Sequence, residues 1–204
     1  MYHTLLLATR NEGKKEELAA LLVDLDIDCI SLADLEARGI TTTPVAETGT
    51  SFEENAILKA EGYARQTGFL TLADDSGLEV KALGGRPGVQ TARYGGDGLS
   101  SVERYHYLLA QMREVPAPDR SARFCCVVAV ASAQGVLATA EGGVRGRIAH
   151  EPRGDAGFGY DPVFVVRDYG KTMAELPAET KNRISHRARA IAALKPELLR
   201  LLAG

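Results

Sequence analysis

The stretch "ARFCCVVAVASAQGVLATAEGG", residues 122–143, limits the fold of this chain more than any other. Two β-rich runs flank "SAQG", a break short enough to return the chain against itself, which predicts an antiparallel hairpin. Elsewhere strand-like and helix-like runs alternate. An antiparallel pair within such a pattern implies an α/β fold built on a mixed, twisted sheet with flanking helices.

The other elements follow from periodicity. Thr4 to Thr9 is a strand-length apolar run, "RNEGK" a polar turn, and "KKEELAALLVDL" places Leu18, Leu21, Leu22 and Leu25 at helical spacing. In "SFEENAILKAEGYARQTG", Ser51 and Glu54 spell a capping box, Ala56, Ile57, Ala60 and Ala64 an inner stripe, and Gly68 a stop. Leu70 to Ala73 reads as a buried strand with Asp74 and Asp75 at its end. A glycine-rich loop region, "ALGGRPGVQTARYGGDG", precedes a capped helix in "SSVERYHYLLAQMRE". Past the hairpin come the loop "HEPRGDAGFGYDP", the strand "VFVV" and helical sequence from about Thr180, broken near Ser185, with Pro196 opening a final turn.

A chain of 204 residues that is 45% hydrophobic can bury one sizeable core or two lobes, and no linker composition interrupts residues 1–204, so a single domain is expected. The formal charge of −3 is dispersed; an anionic ligand then needs a local basic pocket, and nucleic acid is disfavoured as a partner. Cys29, Cys125 and Cys126 show no C-x-x-C spacing, which fits a reducing compartment better than a disulfide framework or structural zinc. The opening "MYHTLLLATRNEGKK" has too brief an apolar run for a secretory signal, and no run of about twenty apolar residues could span a bilayer. A soluble cytoplasmic protein without a membrane partner is expected.

Four stretches could carry chemistry. "ATRNEGK" joins a strand to a helix N-terminus, where backbone N–H groups and Lys14 could hold phosphate; a solvated turn has the same composition, and the Walker pattern is absent. The carboxylates Glu47, Glu53, Glu54, Asp74 and Asp75 include enough hard ligands for magnesium, which takes one or two from protein and fills its octahedron with water and phosphate oxygens. Glu53 and Glu54 are better explained by the first helical turn they occupy than by a metal. The doublet does not match the D-x-D nucleophile pattern of haloacid dehalogenases, since Ser76-Gly77 follows Asp75, and this favours direct attack by water. In "GFGYDP", glycines around Phe158 and Tyr160 would let an aromatic face approach a planar base, although either ring could equally plug a core. "KNRISHRAR" sets His186 and Arg187 in a first helical turn after Ser185, where cations oppose the helix dipole. Such a local conflict is characteristic of functional positions.

Taken in order and at these separations, "ATRNEGK", "ETGTSFEENAILKA", "LADDSGLEV", "GGRPGVQTARYGG", "GFGYDPVF" and "KNRISHR" resemble the Ham1-like inosine triphosphate pyrophosphatase family, the bacterial dITP/XTP pyrophosphatases in particular. The resemblance runs nearly end to end. It implies a homodimer with two lobes around a central substrate cleft, which hydrolyses deaminated purine nucleoside triphosphates with Mg²⁺ to the monophosphate and pyrophosphate, keeping them out of DNA and RNA. It assigns the triphosphate loop to Thr9, Arg10, Asn11, Glu12, Gly13 and Lys14, the proton acceptor and metal ligand to Asp75, a further metal position to Asp74 beside it, and a substrate contact to Ser76. Glu47 matches an acidic metal position, preceded here by Ala46 where many members have a second acid. Asn55 and Lys59 flank the cleft; Phe158, Gly159, Tyr160 and Asp161 match the base loop, and Lys181, His186 and Arg187 the remaining substrate contacts. A pocket of donors accepts the 6-oxo group of hypoxanthine and xanthine and opposes the 6-amino group of adenine. The rival readings are a Maf-like pyrophosphatase of pyrimidine preference, a nucleotide-binding module without turnover, and a structural dimer joined through the apolar hairpin.

Overall fold

The computed structural model describes residues 4–203. The chain runs β1 (Thr4–Leu7), α1 (Glu12–Leu22), β2 (Asp28–Ser31), α2 (Leu32–Ala37), α3 (Phe52–Thr67), β3 (Leu70–Val80), α4 (Ser101–Gln111), β4 (Ser121–Ser132), β5 (Gly135–Ile148), β6 (Phe164–Val166), α5 (Ala178–Ile184) and α6 (His186–Ala203), with short 3₁₀ turns between. The strands form a six-stranded sheet in the order β2-β1-β3-β4-β5-β6. β1 lies parallel to β2 and β3, while β5 and β6 are antiparallel, giving the mixed sheet expected from the hairpin. Among the described residues no helix is long and apolar enough to cross a membrane.

The chain divides into two compact units. The first comprises Met1–Asp75, Cys126–Gly142 and Arg187–Gly204; the second comprises Ser76–Cys125 and Gly143–His186. In the first unit, period-two alternation sorts the strand side chains onto two cores. Leu5, Leu7, Leu70, Leu72, Cys126, Val128 and Val130 pack with Leu18 and Leu22 of α1 and Ile191, Leu194 and Leu198 of α6. Their neighbours Leu6, Ala8, Ala73, Val127, Ala129 and Ala131 pack on the other face with Ala56, Ala60 and Ala64 of α3 and with Leu32 and Leu35. The alanine stripe of α3 was legible in the sequence, and its small side chains keep α3 close to the strands.

In the second unit Leu78, Val80, Ala122, Phe124, Val144, Ile148, Phe164 and Val166 face Leu108 and Met112 of α4. Arg120 is buried there without a carboxylate partner in its hydrogen bonds: it donates to the carbonyls of Ile148 (2.9 Å), Met112 (2.7 Å), Val115 (3.1 Å) and Ala149 (2.8 Å). The guanidinium thus ties the end of α4 to the end of β5.

Several boundaries differ from the sequence reading. β3 does not end at Ala73 but continues through both aspartates to Val80, because tertiary contacts outweigh the turn preference of Asp, Ser and Gly. The capping box at Ser51 is half formed: Ser51 Oγ accepts from the Glu54 N–H at 3.2 Å, whereas the Glu54 carboxylate reaches back to the N–H of Thr50 at 2.6 Å. Pro196 lies inside α6, which continues because Ile191, Leu194 and Leu198 bury one face on both sides of it. β2 and α2 had no sequence assignment. The signal was present in "SLAD", where Ser31 and Asp34 cap each other's backbone.

Replacing Arg120 by Met should leave four buried or half-buried carbonyls without their donor and lower unfolding free energy by roughly 2–4 kcal/mol. Urea unfolding of the variant reads this directly, and a midpoint equal to wild type would refute the role given to Arg120.

Candidate active site

Asp74 and Asp75 are adjacent in one strand and therefore point to opposite faces of it. Asp74 shares the face of Leu72, toward α1 and α6; Asp75 shares the face of Ala73, toward α3. The acidic pair is consequently two sites, not one, and Asp74, expected with Asp75 at a metal, faces away from it because strand side chains alternate.

On the first face, Asp74 is 1% exposed and receives Lys14 Nζ at 3.0 Å and Arg187 Nη2 at 3.1 Å. Arg187, also 1% exposed, donates its other arm to Glu17. Burial alone would raise the Asp74 pKa, but Lys14, Arg187 and Lys59 together hold it far below the usual carboxylate range. Burial likewise works against the charge on Arg187, and Asp74 and Glu17 restore it. This answers the dipole conflict in "SHRAR". Arg187 stands in the first turn of α6 because two carboxylates from elsewhere in the chain compensate it.

On the second face, Asp75 accepts from Asn55 Nδ2 at 3.1 Å and lies 3.6 Å from Lys59 Nζ, which also meets Glu47 Oε1 at 3.3 Å. Asn55 and Lys59 are four residues apart on α3, so helical periodicity aims both at the strand. Burial raises the Asp75 pKa, and the opposing pull of Lys59, Lys14 and Asn55 does not cancel it. Lys59 itself is penalised by burial yet held above its ordinary pKa by Asp74, Asp75 and Glu47. Neighbouring carboxylates with pKa values driven apart are a common basis for dividing acid, base and electrostatic roles.

The loop before α1 is ordered by its own side chains. Asn11 is the N-cap, accepting from the Lys14 N–H at 3.0 Å, and Thr9 Oγ1 accepts from the Asn11 N–H at 3.2 Å. Arg10 pairs with Glu36 at 2.8 Å and Glu12 with Lys15 at 3.4 Å, both at exposed positions, and Gly13 lies in the first turn. Of this loop, Lys14 is the member that reaches the buried acid.

The second unit gathers the other predicted residues. Asp161 accepts from Lys181 Nζ at 2.8 Å and from the Phe158 N–H at 3.3 Å, with Asp161 and Lys181 both buried. Gly159 turns the chain at φ 61°. Tyr160 is 3% exposed and donates its hydroxyl to the Thr91 carbonyl, so its ring is a core anchor, while Phe158 is half-buried. His186 stacks on Phe124 at 4.8 Å and 14° between planes. Ser76, half-buried, opens this unit.

One participant escaped the sequence reading and another has a different role from the one read. Glu17 looked like one more polar position of an amphipathic helix, and nothing local marks its partner 170 residues away. Gly157, read as making room for an aromatic face, makes room for the Asp161–Lys181 pair: at φ +87°, a Cβ there would lie 2.1 Å from Asp161 Oδ2 and 2.4 Å from Lys181 Nζ.

Among the described residues no three His, Cys, Asp or Glu side chains converge as a metal cage. Asp75 and Glu47, which share the Lys59 ammonium, do form a pair of hard oxygen donors already gathered around one positive charge. A sparse site of this kind suits magnesium when phosphate oxygens complete it.

A family model described as the Ham1 family matches residues 5–197. The chain is similar to a Bacillus licheniformis protein named dITP/XTP pyrophosphatase, with 47% identity over 186 residues, covering 91% of this chain and 93% of that one. A Geobacter sulfurreducens protein of the same name is 47% identical over 194 residues, covering 95% and 96%. The solved structure of a HAM1 protein from Coxiella burnetii superposes with a TM-score of 0.85 at 40% identity, over 98% of this chain and all (100%) of that one.

Arg187→Met should destabilise the protein by about 3–5 kcal/mol, because it leaves Asp74 and Glu17 short of a buried cation. Thermal unfolding indistinguishable from wild type would contradict this. Gly157→Ala should part Asp161 from Lys181 and cost roughly 1–3 kcal/mol in backbone strain, read by the same measurement.

Proposed function

We propose that this chain, which belongs to the Ham1 family, hydrolyses deaminated purine nucleoside triphosphates such as dITP, ITP and XTP to the nucleoside monophosphate and pyrophosphate. The observation that carries the reading is the environment of Asp75: buried, raised in pKa, oriented by Asn55, and sharing Lys59 with Glu47. A carboxylate so placed, ionised and oriented toward the strand's α3 face, can take a proton from an attacking water. Near-full coverage of relatives named dITP/XTP pyrophosphatase supports the substrate class.

In this reading Lys14 and the N-terminus of α1 hold the triphosphate, with Thr9 and Asn11 shaping the loop. Lys14 is already aligned by Asp74, which stays ionised and acts as a positioning residue. Asp75 and Glu47 would hold Mg²⁺, whose chemistry there is to offset charge on the phosphates. Phe158 stacks on the base, while Lys181, fixed by Asp161, and His186 present donors to a 6-oxo group. Adenine offers a donor in place of that acceptor, a mismatch worth roughly 10⁴ in discrimination. Removal of deaminated nucleotides from the pool is the physiological role this implies. We place the protein in the cytoplasm as a homodimer; three free thiols support a reducing compartment, and light scattering tests the dimer.

The decisive assay supplies dITP, XTP, ATP, GTP and dCTP with Mg²⁺ and separates pyrophosphate from orthophosphate. Pyrophosphate from dITP and XTP but not ATP is expected; orthophosphate, or preference for dCTP, would overturn the reading. Asp75→Asn should reduce turnover by about 10²–10⁴-fold without unfolding the chain. Because burial raises the Asp75 pKa in the metal-free protein and the charge of a bound Mg²⁺ lowers it, this carboxylate should titrate above the ordinary aspartate value of about 3.9 without Mg²⁺ and shift down when Mg²⁺ is added, which an NMR titration reads. Lys59→Met removes a cation that lowers that pKa, so the metal-free titration of Asp75 should move higher still.

A further inference from the structure

The second unit contains a cavity of ≈ 620 Å³ that shares no residue with the carboxylate site or with the Phe158–Asp161 turn. It lies over the sheet: Leu78, Val80 and Val144 face the apolar core, while the alternate strand positions Glu79, Ser121, Arg123, Arg145, Arg147 and Val165 line the cavity with Ala122, Gly146 and Val166, and Lys81 and Arg167 join them from just past the ends of β3 and β6. Five cationic side chains meet a single carboxylate, Glu79, in a protein whose overall charge is −3. Glu79 is itself paired with Arg123. Among the described residues, Lys81, Arg145, Arg147 and Arg167 have no carboxylate in ion-pair contact.

The register sharpens this. Gly146 pairs with Val166 across β5 and β6, and the Arg167 N–H donates to the Arg145 carbonyl at 3.2 Å, so Arg145 and Arg167 are cross-strand neighbours on one face. Like charges directly opposed in a sheet are destabilising, and Arg147, two residues along, adds a third to the same face. Gly146 sits between the two arginines of β5 because a Cβ there would lie 2.6 Å from the Phe164 ring and 2.3 Å from the Val165 carbonyl. The close β5–β6 contact that holds the arginines together is therefore built into the core side.

We propose that this cavity is a second anion site that takes the phosphates of a small oligophosphate, whether inorganic or the tail of a nucleotide. Its volume lies in the range of small-molecule sites, and several planar guanidinium forks on one face suit phosphate oxygens better than a single carboxylate. The proposal does not depend on the reaction assigned above.

The test compares wild type with Arg145→Gln/Arg147→Gln/Arg167→Gln by titration calorimetry, using inorganic tripolyphosphate and, separately, ADP. Wild type should bind one more equivalent of tripolyphosphate per chain than the variant, or bind it about tenfold or more tightly at that site. Loss of ADP binding in the same variant would assign a nucleotide, and its absence in both an inorganic anion; either supports the site. Hydrolysis of dITP by the variant should stay within about twofold of wild type, and its melting temperature should be equal or higher, since like-charge contacts have been removed. Equal stoichiometry and affinity in the two proteins would overturn the proposal. So would a fall in melting temperature, which makes the arginines structural, or a change from dimer to monomer in light scattering, which makes the face an interface between copies. A duplex oligonucleotide that outcompetes tripolyphosphate at these arginines would replace it with a nucleic-acid site.

Discussion

The buried contact of Asp74 with Lys14 and Arg187 is the interaction on which the first unit depends. It joins the start of α1, the middle of β3 and the start of α6, elements 60 and 113 residues apart in sequence by residue number (74 − 14 and 187 − 74). A buried pair of this kind adds little net stability over an apolar packing, since desolvation offsets the attraction. Its value is conditional. Once any one partner is in place, the others are needed to avoid an uncompensated charge, and the three elements are locked in one arrangement. Lys14, the phosphate-facing cation of the proposed site, is held by this contact, so the same network that positions helices also orients the chemistry.

Alternation along β3 then separates roles that a reader of "ADDSG" would merge. Asp74 is surrounded by cations and stays charged; one residue later Asp75 meets an amide and a lysine shared with Glu47, and burial prevails. Neither environment is encoded locally. Each is assembled from helices that the strand's two faces select.

Much of the fold could be read from periodicity: the hairpin, the alanine stripe of α3 and the break at Ser185 all have short-range signatures that tertiary contacts did not reverse. The end of β3 did not, because Asp, Ser and Gly read as a turn wherever their partners are unknown. Of the site, Asp75, Lys14, Asn55 and Lys59 were visible through motif order. Glu17 was not, since an exposed-looking glutamate on an amphipathic helix has no signature, and Arg187, marked as a cation at the wrong end of a helix and by motif order as a substrate contact, is held instead against Asp74 and Glu17. For Tyr160 the sequence left two roles open, since an aromatic in a glycine-rich turn reads equally as a stacking platform or a core plug; its burial and its hydroxyl on the Thr91 carbonyl decide for the core. The basic sheet face was hidden by dispersion, with its residues on β3, β4, β5 and β6 and its charge lost in a nearly neutral total.

The opposed aspartates have a consequence for the kinds of sequence change this chain can survive. Because a strand's side chains alternate with period two, deleting one residue between Leu70 and Ala73 would swap which aspartate faces α3 and which faces α6, with every functional residue still present. Substitution erodes such a site one contact at a time. A single-codon deletion in this strand inverts it whole, so variation here is confined to exchange of residues at constant length.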